Sequence, residues 1–92
     1  MIYAIEKTNS FKRDYKLIKK RGYKIDLLRE VITILADGGT LPAKCRDHEL
    51  KGKYTGYHEC HITPDWLLIY KKVDRILVLS LTRTGTHSDL FV

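Results

Sequence analysis

Histidine is the residue of this sequence best suited to proton transfer near neutral pH. Its imidazole has a reference pKa of about 6.5, so the ring can act there as an acid or as a base. All four histidines fall in the second half of the chain, close to predicted loops and strand ends: His48, His58, His61 and His87. A lone histidine is usually an ordinary surface or core residue, but a group of this kind indicates a candidate site.

Two further groups in the same half favour phosphate chemistry. Asp65 supplies a carboxylate, and Arg83 supplies a planar guanidinium that fits phosphate oxygens. Arg83 ends a predicted strand, and the glycine-containing turn after it carries His87. Cleavage of RNA requires that the 2′-hydroxyl lose a proton, that the leaving 5′-oxygen gain one, and that positive charge stabilise the phosphorane. These residue types therefore indicate phosphodiester cleavage without a metal ion, although composition alone does not make the assignment specific.

Cysteine and histidine spacing raises the alternative of a zinc site. Cys45 and His48 are spaced as C-x-x-H, and Cys60 and His61 follow. The predicted strand Tyr57–Ile62 argues against it, because neighbouring side chains of a strand point to opposite faces. We therefore expect a partly buried Cys60 and no metal ligation. A disulfide is not expected either, since the reducing cytoplasm is the default compartment without an export signal.

The first part of the chain predicts one strand and two amphipathic helices. Ile2–Glu6 favours a strand, and Thr8-Asn9-Ser10 offers N-caps for a helix. Apolar residues then recur at spacings of three and four until Gly22. Asp26 is the expected N-cap of the second helix, which Gly38-Gly39 should end.

The remainder predicts a loop, three strands and a short helical turn in the tail. The three strands are Tyr57–Ile62, Trp66–Lys72 and Arg75–Arg83. The order β-α-α-β-β-β predicts an α+β fold in which two N-terminal helices pack on one face of a mainly antiparallel sheet. The other face is then free as a working surface. Alternation along the first of these strands places His61 on one face and His58 on the other.

Length and charge limit the possible functions. The chain has 92 residues, which predicts one domain over residues 1–92. Lys and Arg number 17 against 11 Asp and Glu, a net charge of +6 that favours a polyanionic partner. Lys51 and Lys53 lie close to His48 and are candidate phosphate contacts. No apolar run approaches the roughly 18–20 residues of a membrane span, and the N-terminus does not resemble a secretory signal.

Three motifs at fixed separations make the second half specific. They are D-H-x-L-x-G at Asp47–Gly52, H-x-x-P-D-W at His61–Trp66 and R-x-G-x-H-x-x-L-F at Arg83–Phe91. With them the chain resembles the YafQ branch of the RelE/ParE toxin superfamily over nearly its whole length. The resemblance implies a microbial-ribonuclease-like RelE fold and a toxin of a type II toxin–antitoxin system. It implies ribosome-dependent cleavage of mRNA in the A site by 2′-hydroxyl attack, with no metal or other cofactor.

The resemblance also assigns roles residue by residue. His87 matches the position of the proton-transferring acid or base. His48 and His61 match positions that orient the nucleophile, exchange protons or balance charge. Asp65 would position an imidazole or fix its tautomer, and Arg83 would stabilise the phosphate.

Aromatic positions extend the expected RNA contacts. Trp66 and Phe91 match family positions near the cleft, where a ring can stack on a base. Trp66 has the equal alternative of belonging to the sheet core, since large aromatics are mostly buried. His58 departs from the family pattern and is left outside the site.

The resemblance implies partners as well. We expect a cognate, DinJ-like antitoxin that neutralises the protein and links it to operator DNA, with the ribosome and mRNA as substrate in the cytoplasm. Two alternatives remain open. One is a non-catalytic gyrase inhibitor of the ParE kind, a branch that lacks this set of histidines. The other is a plain RNA-binding module, which would show salt-dependent binding without strand cleavage.

Overall fold

One mixed sheet of five strands organises the computed structural model, which describes residues 2–91. The strands are β1 (Ala4–Lys7), β2 (His48–Glu49), β3 (His58–Thr63), β4 (Trp66–Val73) and β5 (Val78–Gly85). Their order in the sheet is β1-β5-β4-β3-β2; β1 pairs with β5 in parallel and the other neighbours are antiparallel. The predicted α+β class with a mainly antiparallel sheet is confirmed.

The helices occupy the predicted places, with one difference at a cap. They are α1 (Asn9–Lys20), α2 (Ile25–Ala36) and the short α3 (His87–Leu90) in the tail. Thr8 is the N-cap of α1, where its hydroxyl accepts from the Phe11 amide at 3.0 Å. Asp26 is not the N-cap of α2: that position is Lys24, without a side-chain cap. Asp26 lies in the first turn instead, where a negative charge suits the helix dipole.

The strands differ most from the prediction at the start of β5 and at β2; β1 covers Ala4–Lys7 instead of Ile2–Glu6. The chain turns over residues 74–77, so β5 begins at Val78, three residues later than predicted. Ile76 and Leu77 resemble strand residues by type but are 62% and 48% exposed, and Leu77 has a positive φ of 52°. The pair His48–Glu49 forms β2 within a segment predicted as loop.

The main core lies between the helices and one face of the sheet. Phe11 and Ile18 of α1 pack there with apolar residues of α2. The sheet contributes alternate residues to the same cluster: Cys60, Trp66, Leu68, Tyr70, Leu79 and Leu81. The opposite face carries a smaller cluster around Leu67, Ile69 and Leu90, which leaves room for polar side chains beside it.

Helix α1 also closes an open strand edge. β1 ends opposite Leu81, so the last part of β5 has no neighbouring strand on that side. Thr8 donates its hydroxyl to the Thr82 carbonyl at 2.7 Å, and Asp14 accepts from the Thr84 amide at 3.1 Å. These contacts satisfy backbone groups that would otherwise need water. None of the helices in the described part of the chain has the length and apolar character needed to cross a membrane.

Candidate active site

A nearly buried carboxylate lies between two histidines on the sheet face away from α1 and α2. Glu59 pairs in register with His48 across β2 and β3, and it is 7% exposed. Its Oε2 lies 3.2 Å from Nε2 of His48 and 3.9 Å from Nε2 of His61. Charges interact more strongly away from water, so either ring forms an ion pair with Glu59 when it carries a second proton.

Backbone carbonyls fix the tautomers of these two histidines. Nδ1 of His48 lies 2.7 Å from the Arg46 carbonyl oxygen, and Nδ1 of His61 lies 3.3 Å from the Pro64 carbonyl oxygen. A carbonyl only accepts, so each Nδ1 carries a proton and each Nε2 is the atom available for exchange. Arg46 has a left-handed backbone, with φ of 50°. The carbonyls of Arg46 and Pro64, rather than the Asp65 carboxylate, orient these rings.

Three of the predicted site residues, from separate segments of the chain, line one cavity of about 370 Å³. Its lining includes His61, the exposed Asp65 of the β3–β4 turn, and His87. The His87 ring packs against Phe91, with centroids 4.8 Å apart, and Phe91 in turn contacts Tyr54 edge-on at 5.9 Å. His61, Asp65 and His87 therefore share one cleft, and Phe91 lies at its side, 37% exposed.

A capping box positions His87 at the start of α3. The Thr86 hydroxyl accepts from the Asp89 amide at 3.1 Å, and Asp89 accepts from the Thr86 amide at 2.9 Å. Arg21 of α1 binds both oxygens of Asp89, at 2.7 and 3.2 Å. Hydrogen bonds from Arg21 and from the Thr86 amide hold the pKa of Asp89 well below its usual range. A Cβ on Gly85 would lie 2.9 Å from the Asp89 carboxylate, so glycine is needed for this close approach.

Arg83 is held in a fixed orientation. Its Nε and Nη2 donate to the two oxygens of Asp14, at 2.6 and 3.2 Å. This pairing raises the pKa of Arg83 above its ordinary value, with a smaller contribution from Tyr54. Asp14 uses only part of the guanidinium's five N–H donors, and the side chain is 28% exposed. Donors remain for an anion, and the phosphate contact stays a prediction.

Trp66 requires a correction. The sequence predicts an RNA contact or a core residue here, and the side chain is 2% exposed within the main core. The indole donates to the Thr84 hydroxyl at 2.9 Å and packs edge-on against Tyr23. A ring enclosed in this way cannot stack on a nucleotide.

Lys51 and Lys53, the expected phosphate contacts, are exposed in the segment between β2 and β3. The Lys53 ammonium lies 6.0 Å from the centroid of the Tyr54 ring. Tyr54 also contacts Phe91, so this lysine lies on the side of the molecule that carries Phe91. Binding of phosphate by the two lysines stays a prediction.

His58 and the cysteines lie apart from this cleft. The His58 ring stacks on Tyr70 at 5.4 Å, and its Nδ1 is 3.7 Å from Asp47, which confirms that it faces away from His61. Cys45 and Cys60 are free and buried, and burial raises the pKa of the Cys60 thiol. Within residues 2–91, no group of three or more His, Cys, Asp or Glu side chains is arranged to hold a metal ion.

Glu59 is the site residue that sequence reasoning missed, although alternation along a strand puts residues 59 and 61 on the same face. The missing information was β2, because its pairing is what puts His48 beside this carboxylate. A two-residue strand is too short to show periodicity. The signal available in the sequence was a charged residue, Glu59, between His58 and His61.

Comparison with known proteins agrees with the motifs. Residues 3–92 match the family of bacterial YafQ toxins of type II toxin–antitoxin systems. The mRNA interferase toxin YafQ of Escherichia coli strain K12 is 41% identical over 88 residues, which cover 95% of this chain and 94% of that protein. A chain of the crystal structure of the E. coli DinJ–YafQ complex has a TM-score of 0.90 and 40% identity, covering 98% of this chain and 99% of that one. A metal-bound toxin from Helicobacter pylori has a TM-score of 0.91 and 40% identity, covering 99% and 100%. The chain therefore belongs to the YafQ family of type II toxin–antitoxin toxins.

Proposed function

We propose that the protein is an endoribonuclease that blocks translation by cleaving mRNA in the ribosomal A site. The observation that carries the proposal is the cleft itself, in which His61, Asp65 and His87 face one cavity of about 370 Å³. Glu59 and His48 support it from one side. The mRNA interferase activity named for the E. coli relative is the chemistry that these groups suit.

The mechanism follows from where the titratable groups lie. A phosphate in the cavity would lie between His61 and His87, since both line it. One imidazole accepts the 2′-hydroxyl proton as that oxygen attacks phosphorus, and the other donates a proton to the leaving 5′-oxygen. The products are a 2′,3′-cyclic phosphate and a 5′-hydroxyl, and attack of water on the cyclic phosphate would give the 3′-phosphate. Arg83 stabilises the pentacovalent phosphorane, and Glu59 balances charge on the neighbouring imidazoles.

We propose that cleavage needs no metal ion. His61 and His87 can carry out both proton transfers and Arg83 can supply positive charge, so the proposed step draws every group it needs from the protein. The H. pylori toxin was crystallised with metal, which makes a direct test necessary. Cleavage of mRNA on programmed ribosomes should survive EDTA after ribosomal magnesium is restored. A requirement for added zinc or copper would overturn this part of the proposal.

The proposed partners are a neutralising antitoxin and the ribosome. The E. coli relative was crystallised in the DinJ–YafQ complex, which supports a DinJ-like antitoxin here. The net charge of +6 suits both ribosomal RNA and an acidic antitoxin segment. Contact with operator DNA would run through the antitoxin, and the place of action would be the cytoplasm.

The experiment is end-mapping of mRNA after brief expression of the wild type and of His87→Ala. The wild type should give discrete cuts within codons, and His87→Ala should lower cleavage by about a hundredfold or more, the usual contribution of an acid–base group. His58→Gln is the matched control, because this histidine faces away from the cleft, and it should cut as the wild type does. Full activity of His87→Ala would contradict the assignment. Gyrase inhibition with intact mRNA would favour the ParE-like alternative.

A further inference from the structure

A second cavity adjoins the first and shares a wall with it. It measures about 470 Å³, within the range of about 300–1,000 Å³ typical of small-ligand sites. His61 and Pro64 line both cavities, so the two form neighbouring compartments. α2 contributes Leu27 to the second cavity, and the end of β3 contributes Ile62 and Thr63.

The walls of this second cavity combine apolar surface with free positive charge. Leu27, Ile62 and Pro64 supply the apolar part, and Lys44 and Arg46 supply the charge. Both cations are exposed, and within residues 2–91 neither side chain has an ion-pair or hydrogen-bond partner. Arg21 and Arg83, by contrast, are each engaged by an aspartate. A nucleotide combines a charged phosphate with a flat base. Unpaired cations suit the phosphate, and an apolar wall suits the base.

We propose that the second cavity binds the nucleotide adjacent to the cleaved bond. Its base would pack against Leu27, Ile62 and Pro64, and its phosphate would bind Lys44 and Arg46. The inference rests on the proposed RNA cleavage, which places the scissile phosphate beside His61. Because His61 lines both cavities, the second cavity is then the next compartment along the RNA strand.

Arg46 links the two compartments. Its side chain lines the second cavity, while its carbonyl oxygen binds Nδ1 of His48 at 2.7 Å. A phosphate bound by the guanidinium would therefore hold the segment that orients His48. We expect substitution of the Arg46 side chain to weaken substrate binding more than the chemical step, since the carbonyl contact is retained.

The test is single-turnover cleavage of mRNA on programmed ribosomes by Lys44→Gln/Arg46→Gln. We expect the concentration for half-maximal rate to rise roughly tenfold, because two phosphate contacts are removed, while the maximal rate stays within about threefold. Lys72→Gln/Arg75→Gln is the matched control, because it removes the same charge at the far end of β4 and in the turn that follows it. An equal effect of both double variants would overturn the proposal, since it would mean that only net charge matters.

A second variant tests the base-binding part. Leu27→Trp should fill the cavity and alter which nucleotide is found next to the cut in end-mapping. A substrate with an abasic nucleotide at that position should be cleaved poorly by the wild type and no worse than intact RNA by Leu27→Trp. Leu27→Ala is the comparison variant that does not fill the cavity. A melting curve for each protein shows whether an effect of Leu27→Trp comes from the filled cavity or from a folding defect.

The outcomes distinguish this inference from the proposed function. If the wild type cleaves RNA but neither Lys44→Gln/Arg46→Gln nor the Leu27 variants change binding or base preference, the inference alone fails. If the double variant loses only antitoxin affinity, the cavity binds an acidic peptide and the inference also fails. Absence of any cleavage by the wild type would instead remove the proposed function.

Discussion

The proposed proton transfer depends on individual atoms that a few contacts hold in place. His48 and His61 present Nε2 because backbone carbonyls bind their Nδ1 atoms. Glu59 lies between those Nε2 atoms and is 7% exposed, so its charge is directed at the rings and not at solvent. In the proposed mechanism, the cleft therefore depends on this arrangement in addition to His87.

Glu59→Gln should lower cleavage by roughly tenfold to a hundredfold while leaving RNA binding nearly unchanged. The amide keeps the shape of the side chain but removes the charge that balances the two imidazoles. Single-turnover kinetics, with the substrate concentration varied, would measure the rate and the binding separately. Glu49→Gln, in the same pair of strands but exposed, is the control. An equal cleavage rate for the two variants would refute the role of Glu59.

Trp66→Phe should destabilise the fold without weakening RNA binding. The substitution removes a buried hydrogen bond to Thr84, which contributes about 0.5–1.5 kcal/mol, and part of the packing against Tyr23. A lower melting temperature with an unchanged concentration for half-maximal cleavage would agree with burial. Weaker substrate binding in a protein that remains folded would restore Trp66 as an RNA contact.

The elements differ in how far sequence predicts them. α1 and α2 follow from their periodicity, and the pairing of β3 with β4 follows from alternation on either side of Pro64-Asp65. β2 does not, because a two-residue strand exists only through its partner. Nor does the hydrogen bond between Asp14 and Thr84, which forms because β1 is too short to cover the end of β5. The histidines of the cleft could thus be named from sequence, whereas Glu59 and the fixed orientation of Arg83 required the fold.

Asp89→Asn should lower the melting temperature at pH 7 and make little difference in acid. The folded-state pKa of Asp89 is depressed by Arg21 and by the Thr86 amide, below an ordinary value of about 3.9. Its stabilisation is therefore fully present above that ordinary value and is lost as the pH falls through the lower folded value. Melting curves of both proteins from neutral to strongly acid pH would measure the difference.

The control for this carboxylate is Asp26→Asn in α2. Asp26 has a side chain 91% exposed and a weak contact of 3.9 Å with Arg29. Its replacement should lower the melting temperature at neutral pH less than Asp89→Asn does, because an exposed first-turn carboxylate contributes only through the helix dipole. A gap between wild type and Asp89→Asn that stays constant down to the most acid pH would contradict a charge-based cap. Activity should fall with Asp89→Asn as well, since the cap positions His87.

At the scale of the whole molecule, the lysines of α1 and the proposed chemistry occupy different regions. The exposed side of α1 carries lysines well before His48 in the sequence, including Lys12, Lys16 and Lys19. The cleft lies on the other face of the sheet, around β3 and the start of α3. We therefore propose that α1 docks on ribosomal RNA and that the bond is broken in the cleft.

Lys12→Gln/Lys16→Gln/Lys19→Gln should weaken ribosome binding and its salt dependence together. For every phosphate that these lysines bind, the substitution should lower the slope of log affinity against log salt by about 0.7–0.9. The maximal single-turnover rate on saturated ribosomes should remain within about threefold of the wild type, because no lysine of this set lines the cleft. Binding measured from low to moderate salt, with melting curves as a folding check, would give both quantities. An unchanged slope would mean that α1 does not touch the ribosome and that other cations, Lys51 and Lys53 among them, dock the protein.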